Sequence, residues 1–450
     1  LYLDHFKKIV LPKNANLIAQ WKFIVVKFAN SNHLFIVELF FCMKLRIFFA
    51  CLFFTSFSAC VLFSKKKTEP TVNTAANVQP QKDTVIALRP LPLPVKDSVV
   101  TIRISAVGDL MSHDPQTNNA KIGNDKYDYT PSFAEVKPYL AAADFTFGNL
   151  ETTCAGKEKG YKGYPAFNTP DDFVTALKDA GFDLIATSNN HSMDTGEDGL
   201  LRTIGVLNKH KLPYTGTYVS QHDRDSVRIF DIKGIRLGIL NYTYGTNGAY
   251  PAAEHKYMLN VIDTLLIQND IVAARTQGAE LVIVFFHYGL ENKSDPTAEQ
   301  KAIVAKTCSY GADIIIGAHP HVISPVEYFK TTKAKLDTGF IAWSLGNFLS
   351  NQYWRYADAG VIVSISISKN ITKGTYRIAS TDYLPTWVYR GVNPSRKMHI
   401  IYPAQLATHD SIPAFIDADQ KSKMKEAFED TKLMMTRYTS KINLVEVKKK

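Results

Sequence analysis

One apolar run of the chain ends in "DIIIGAHPH", which sets His319 and His321 on either side of Pro320. Four other polar clusters stand in the same relation to an apolar stretch. They are Asp109 in "SAVGDLMSH", Glu151 in "FGNLET", Asn190 and His191 in "SNNH", and His287 in "FFHYG". Singly, each has an ordinary account: an Asp after Gly is a turn residue or cap, Asn-Asn is loop, and a His at a strand end is a hydrogen-bonded side chain. Gathered at one edge of one sheet, two carboxylates, a carboxamide and at least three imidazoles would repel one another or lack partners. A divalent cation resolves both costs. Oxygen and nitrogen donors without thiolate suit Mn²⁺, Fe or Zn²⁺ rather than Ca²⁺. Two such ions about 3.5–4 Å apart, bridged by a carboxylate, activate water for in-line attack on a phosphoryl group.

The elements that must position these residues follow a recurring pattern. A helix-like stretch leads to a small residue, an acid, an apolar run and a polar cluster, as in "LKDAGFDLIATSNNH", "ARTQGAELVIVFFHYGLE" and "CSYGADIIIGAHPH". Gly181, Gly278 and Gly311 fit helix C-termini that need positive φ. Thr169 in "NTPDDF" is the expected N-cap of one helix, with Pro170 in its first turn. Runs such as "LVIVFF" are apolar on both faces, as strands covered on both sides must be. The alternation gives an α/β fold whose polar clusters fall at strand C-termini. The later segments "GFIAWSLGNF", "AGVIVSISIS" and "TYRIASTDYLPTWVYR" read as a second, more antiparallel sheet. From about Ser411 a charged helical tail is expected to pack one face on the body, with its Met residues in the core.

Charge argues against a nucleic-acid partner. Residues 1–67 carry ten Lys/Arg against Asp4 and Glu38, which is +8 of the chain's net +10. The terminal "VKKK" supplies most of the remainder, and the body is near neutral. Of five cysteines only Cys154 and Cys308 lie in the body, too few for a disulfide framework or a Cys-x-x-Cys zinc site. The stretch "MKLRIFFACLFFTSFSAC", residues 43–60, is laid out as a secretory signal and resembles a bacterial lipoprotein signal with Cys60 as the lipidated residue. Its alternative is an uncleaved anchor, since Leu45 to Phe63 is long enough to span a bilayer; Lys65–Lys67 on the far side weighs against that. Residues 1–42 precede the signal and are expected to be an over-extended start outside the fold. Residues 61–98 are expected to form a flexible Pro-rich tether. The catalytic-type domain is assigned to 99–390 and a C-terminal extension, largely helical after 411, to 391–450.

"VGDLM", "GNLET", "TPDDFVTALKDAGFDLIATSNNHSMD", "HYGLE", "GAHPHVISP" and "SLGNF" occur in this order between about residues 101 and 365. Together they resemble the poly-gamma-glutamate capsule synthesis family of CapA type, which in turn resembles the calcineurin-like metallophosphoesterases. The resemblance implies a four-layer αββα sandwich. It also implies one metal held by Asp109, Glu151 and His321, and a second held by Glu151, Asn190, His287 and His319. Glu151 would bridge them, and His191 would be the general acid that protonates the leaving oxygen. Phosphoesterases usually carry a His two residues after the first Asp; here that residue is Met111, and His113 has a different spacing. Glu151 is longer than the usual bridging Asp. One or two ions are therefore expected.

Three further residues are candidates. Glu291 would orient an imidazole from behind. Asn347 in "SLGNF" would line the site or be an ordinary turn residue. Arg355 would clamp a phosphate or carboxylate, or stack on Trp354 or Tyr356 at the surface. The expected function is that of an envelope-anchored metal-dependent hydrolase acting on a phosphoester or anionic polymer during synthesis of an extracellular polymer. The rival is a non-catalytic subunit of a membrane synthase or export complex.

Overall fold

In the computed structural model, the described residues are 24–26, 35–37, 98–409 and 412–447. Most of 1–97, including the signal and tether assignments and Cys60, lies outside them. Strands and helices are numbered in chain order. β1 (Ile24–Val26) and β2 (Phe35–Val37) pair antiparallel in a unit of their own. The rest belongs to the unit from Pro90 to Lys450.

Sheet I is built on β3 (Val99–Leu110), β6 (Phe145–Leu150), β7 (Leu184–Ala186) and β8 (Tyr214–Thr215), which run parallel. The antiparallel strands β16 (Ala359–Asn370), β17 (Thr375–Asn393) and β18 (Arg396–Pro403) extend it from the other edge of β3. β15 (Asn347–Leu349) pairs with the end of β3, and β19 (Asn443–Leu444) with β17. Sheet II has the order β13–β14–β12–β11–β10–β9. Its parallel centre is β10 (Ile235–Thr243), β11 (Leu281–His287), β12 (Ile314–Ala318) and β14 (Thr338–Ala342), and its antiparallel edges are β9 (Arg228–Ile232) and β13 (Val326–Lys330). A short ribbon, β4 (Lys121–Gly123) with β5 (Lys126–Tyr127), stands apart.

Side-chain alternation divides each strand between two layers. Ile239, Ile283, Phe285, Ile314 and Ile316 of sheet II join the core shared with sheet I. Phe147 of β6 meets Phe285 with ring centroids 6.1 Å apart, and Phe145 meets Phe230 at 4.8 Å. The opposite face of sheet II buries Val282, Val284, Phe286 and Ile315 against Ile267 and Ile271 of one helix and Val304 of another, giving the run "LVIVFF" a cover on each side. Outside sheet I lie helices carrying Phe173, Leu177, Leu200, Ile204 and Leu207. The layers are helix, sheet, sheet, helix.

Among the described residues the α-helices are α1 (Asp114–Ala120), α2 (Lys137–Leu140), α3 (Asp172–Ala180), α4 (Gly196–Lys209), α5 (Gln221–Asp225), α6 (Thr264–Thr276), α7 (Ala298–Tyr310) and α8 (Ala418–Met435). Gly181 and Gly311 end α3 and α7 at φ 102° and 112°, and Gly278 follows α6 at 103°. α8 starts from the Asp417 cap and packs along β17, with Met424, Phe428 and Met435 buried. Cys154 and Cys308 are both free thiols.

Three expectations change. Thr169 is not the cap of α3, which begins at Asp172; its hydroxyl bonds to that of Thr152 at 2.7 Å instead. The antiparallel segments do not make a separate sheet: β16 zips onto β3 from Ala106 to Val99 and enlarges sheet I, while "GFIAW" enters sheet II as β14. The body also continues past residue 390, because β17 and β18 pair from Thr386–Pro403 to Asn393–Arg396.

Candidate metal centre

The donors come from the ends of both sheets rather than from one edge of one sheet. Asp109 lies near the end of β3, beyond an irregularity that follows Ala106. Glu151 follows β6, and Asn190 and His191 follow β7, all from sheet I. His287 closes β11, while His319 and His321 follow β12, all from sheet II. Two stacked sheets, each with its parallel strands ending at the centre, supply twice the side chains that one edge could.

Close backbone approach fixes Asp109. A Cβ at Gly108 would stand 1.9 Å from the carbonyl oxygen of Gly346, so only glycine lets β15 lie there, with Asn347 in register beside Asp109. The histidine turn is held in left-handed backbone, His319 at φ 97° and His321 at φ 59°. A non-glycine residue there costs of order 1–3 kcal/mol and persists only where surroundings impose it. They do: the His319 N–H donates to Oδ2 of Asp109 at 3.3 Å, and the Asn292 N–H donates to the Pro320 carbonyl at 2.8 Å.

Two sets of side chains converge: Asp109, Glu151 and His321, and Glu151, His287 and His319, with one donor atom from each within 4.8 Å of the others in its set. Glu151 is shared. Asn190 joins the second set, its Oδ1 2.7 Å from Nε2 of His287. Nδ1 of His321 lies 3.3 Å from Oδ2 of Asp109. Glu151 Oε1 and His319 Nδ1 are buried and have no hydrogen-bond partner. Such atoms each cost about 1–3 kcal/mol unless something fills the gap between them. A divalent cation fits this donor set.

The electrostatics say the same. Burial and the charge of Asp109 push Glu151 well above the carboxylate range. Burial works to raise Asp109 as well, but His321, His287 and Asn149 outweigh it and hold that carboxyl well below its usual range. Burial, then repulsion from neighbouring imidazoles, pushes His287 far down and His319 down to about 3. His321 is raised, because Asp109 overrides its burial. Burial thus disfavours the charged forms of Glu151, His287 and His319 together.

His191 is buried beside Phe167, its Nδ1 2.7 Å from Oδ2 of Asp194. Asn347 reaches the centre: its Oδ1 lies 3.1 Å from Nδ1 of His321, and its amide donates to Gln352 and to the Ala357 carbonyl. Glu291 is exposed and acts on Glu151 and His321 through space. Arg355 lies elsewhere, ion-paired to Asp430 and Glu426 of α8 and stacked on Tyr356, so the substrate clamp gives way to a surface clasp. Met111 is buried. His113 sits at the edge of Phe167, with Nδ1 near Gln116 and the Asn351 N–H.

Four contributors escaped the sequence reading. Asn149 donates to Asp109 Oδ1 at 2.8 Å and stands 3.2 Å from Nδ1 of His287. Its i, i+2 spacing with Glu151 on a strand was an available signal. Asn189 donates to the Leu150 carbonyl and to Asn149, tying β7's exit to β6. Asp194 lies three residues from His191, in the turn that leads into α4. Tyr244 lays its ring 4.6 Å from that of His319, and nothing in "NYTYG" marks it.

The profile of the family described as bacterial capsule synthesis protein PGA_cap matches residues 103–352, more than half the chain and all the residues of the centre. The chain belongs to that family. It is 29% identical over 254 residues to the PGA biosynthesis protein CapA of Bacillus subtilis (strain 168), covering 56% of this chain and 64% of that one. To the capsule biosynthesis protein CapA of Bacillus anthracis it is 28% identical over 280 residues, covering 60% and 65%. The chain thus matches slightly less than two thirds of the length of each relative. Among solved structures, the NAD nucleotidase NadN of Haemophilus influenzae aligns with TM-score 0.41 and 12% identity over 78% of this chain and 65% of that one. The calcineurin-like phosphoesterase YfkN of Bacillus subtilis aligns with TM-score 0.38 and 13% identity over 74% and 98%.

Proposed function

We propose that this chain is a metal-dependent hydrolase of phosphoesterase type, acting outside the cytoplasm in the synthesis of a capsule or poly-γ-glutamate-like polymer. The observation that carries the reading is the pair of buried donor sets sharing Glu151, with Glu151 Oε1 and His319 Nδ1 left without partners. One or two divalent ions held there, Mn²⁺, Fe or Zn²⁺ by donor type, would supply Lewis-acid and water-activating chemistry. Asp109, Glu151 and His321 would hold one; Glu151, Asn190, His287 and His319 would hold the other. Asp194 fixes Nδ1 of His191, leaving Nε2 as the nitrogen that hands a proton to a leaving oxygen. Asn149 orients Asp109 and His287 together.

The polymer assignment draws on the names of the relatives, and the anchor at Cys60 on the sequence of the leader. No helix among the described residues is long and apolar enough to cross a membrane. An anionic polymer or phosphoester as substrate, and a membrane synthase complex as partner, complete the reading. Met111 supports a second one. An apolar side chain stands where phosphoesterases carry an imidazole, which suits an accessory subunit that keeps the centre without turnover.

Metal analysis together with hydrolysis of an activated phosphodiester, on wild type, His319→Ala and His191→Ala, separates the two. Turnover that falls in both variants supports the hydrolase. Full metal occupancy with no turnover of any ester leaves the accessory role.

A further inference from the structure

The loop that leaves β11 runs over the histidine turn. Gly289, at φ 113°, redirects it, and the hydrogen bond from the Asn292 N–H pins it to Pro320, between the two imidazoles. Trp354 holds the same residue from the other side, its Nε1 donating to Asn292 Oδ1 at 3.0 Å. Glu291 is the residue before this pin. It is exposed, yet its carboxylate is felt at Glu151, His321 and Tyr244.

Among the described residues no cationic side chain pairs with it. Among the described residues no Lys or Arg bonds or ion-pairs with a donor of the centre. Lys293, two positions on, lines a cavity of about 530 Å³ together with Asp295 and Asp430, and Arg355 is taken up by α8. Sites that grip a phosphate dianion ordinarily surround it with Arg or Lys as well as metal. Here the charge added on the loop beside the histidine turn is negative.

We propose that Glu291 is a specificity-determining residue of this centre, favouring substrates whose reacting group carries one negative charge, as a phosphodiester does, over the dianion of a phosphomonoester. The inference rests on the hydrolase reading above for its substrates, but not for its charge effect. A second charge on the substrate adds one more repulsion from the Glu291 carboxylate, an effect of about tenfold in binding or rate near a protein surface.

The test uses the full chain loaded with Mn²⁺, as wild type, Glu291→Gln and Glu291→Asp, with metal content measured in each. Wild type and Glu291→Asp are expected to hydrolyse bis(4-nitrophenyl) phosphate with higher kcat/KM than 4-nitrophenyl phosphate. Glu291→Gln shifts that ratio about tenfold toward the monoester. Calorimetric binding of inorganic phosphate at about pH 8, where it is the dianion, gives a readout without turnover, and Glu291→Gln is expected to bind it about tenfold more tightly. Equal phosphate affinity in wild type and Glu291→Gln overturns the proposal, as does an unchanged ester ratio. If no ester is hydrolysed but the phosphate affinities differ, the hydrolase reading falls and the charge selection by Glu291 stands.

Discussion

Oε1 of Glu151 lies 3.5 Å from Nε2 of His287, both side chains are wholly buried, and that oxygen accepts no hydrogen bond. Glu151 Oε1 and His319 Nδ1, both buried without a partner, are a cost in the free protein and a preformed grip for a cation. Glu151→Gln should therefore abolish binding at both positions, whereas His319→Ala should lose one ion and keep the other. Elemental analysis after dialysis counts them. Metal should also stabilise the fold, by about 4 kcal/mol at a thousandfold excess over Kd, read as a fall in Tm on chelation.

The His191–Asp194 pair makes a separate prediction. His191→Ala should keep its metal and lose about 10²–10⁴ in kcat. Asp194→Asn should lose part of this, because the imidazole loses the carboxylate that orients its Nδ1. An unchanged kcat would mean that Asp194 serves only the Phe167 N–H, which it accepts at 2.6 Å.

Gly108→Ala places a methyl against the Gly346 carbonyl, where backbone and not a flexible side chain must yield. Overpacking of this kind costs about 1–3 kcal/mol. Because Asp109 is the next residue, weakened metal affinity should accompany the lower denaturation midpoint. A stability loss with full metal affinity would show that the two strands can part without moving Asp109.

His399 lies outside the centre, buried between Asn119 and Asn351 and pushed down to about 3, by burial first and then by Arg390. In the unfolded chain it titrates near 6.5, so below that pH the unfolded state binds the extra proton and stability falls with acid. Between pH 6.5 and 5 the loss is about 2 kcal/mol at most. His399→Gln should flatten that part of the stability curve, measured by urea unfolding across the range.

Arg355→Ala should leave metal content and phosphodiester turnover as in wild type, since its guanidinium serves α8. A drop in kcat/KM with metal intact would return Arg355 to the substrate.

The donors were legible because chemistry restricts them: few arrangements explain Asp109, Glu151 and His287 each placed where an apolar run stops. Glycine at helix ends was legible for the same reason, since Gly181 and Gly311 occupy a backbone region other residues avoid. Sheet membership was not. β3 pairs with β16 across more than 250 residues, and no local pattern says which strand a neighbour will be. Asn149 and Asp194 were hidden because Asn in a strand and Asp in a turn are ordinary; only the contact with Asp109 or His191 gives them a task. Arg355 had two readings, a cation among aromatics being as useful to a neighbouring helix as to a ligand, and the stacking on Tyr356 is the one present.

The pairing of β16 with β3 sets a lower limit on what can be cut away. The family match stops at residue 352, yet the strand that bears Asp109 leans along most of its length on one that begins at Ala359. A fragment trimmed to the matched stretch would bare that edge and loosen one wall of the centre. The shortest autonomous piece therefore has to run at least through Pro403, and a truncation series should show metal uptake vanish abruptly between those two limits.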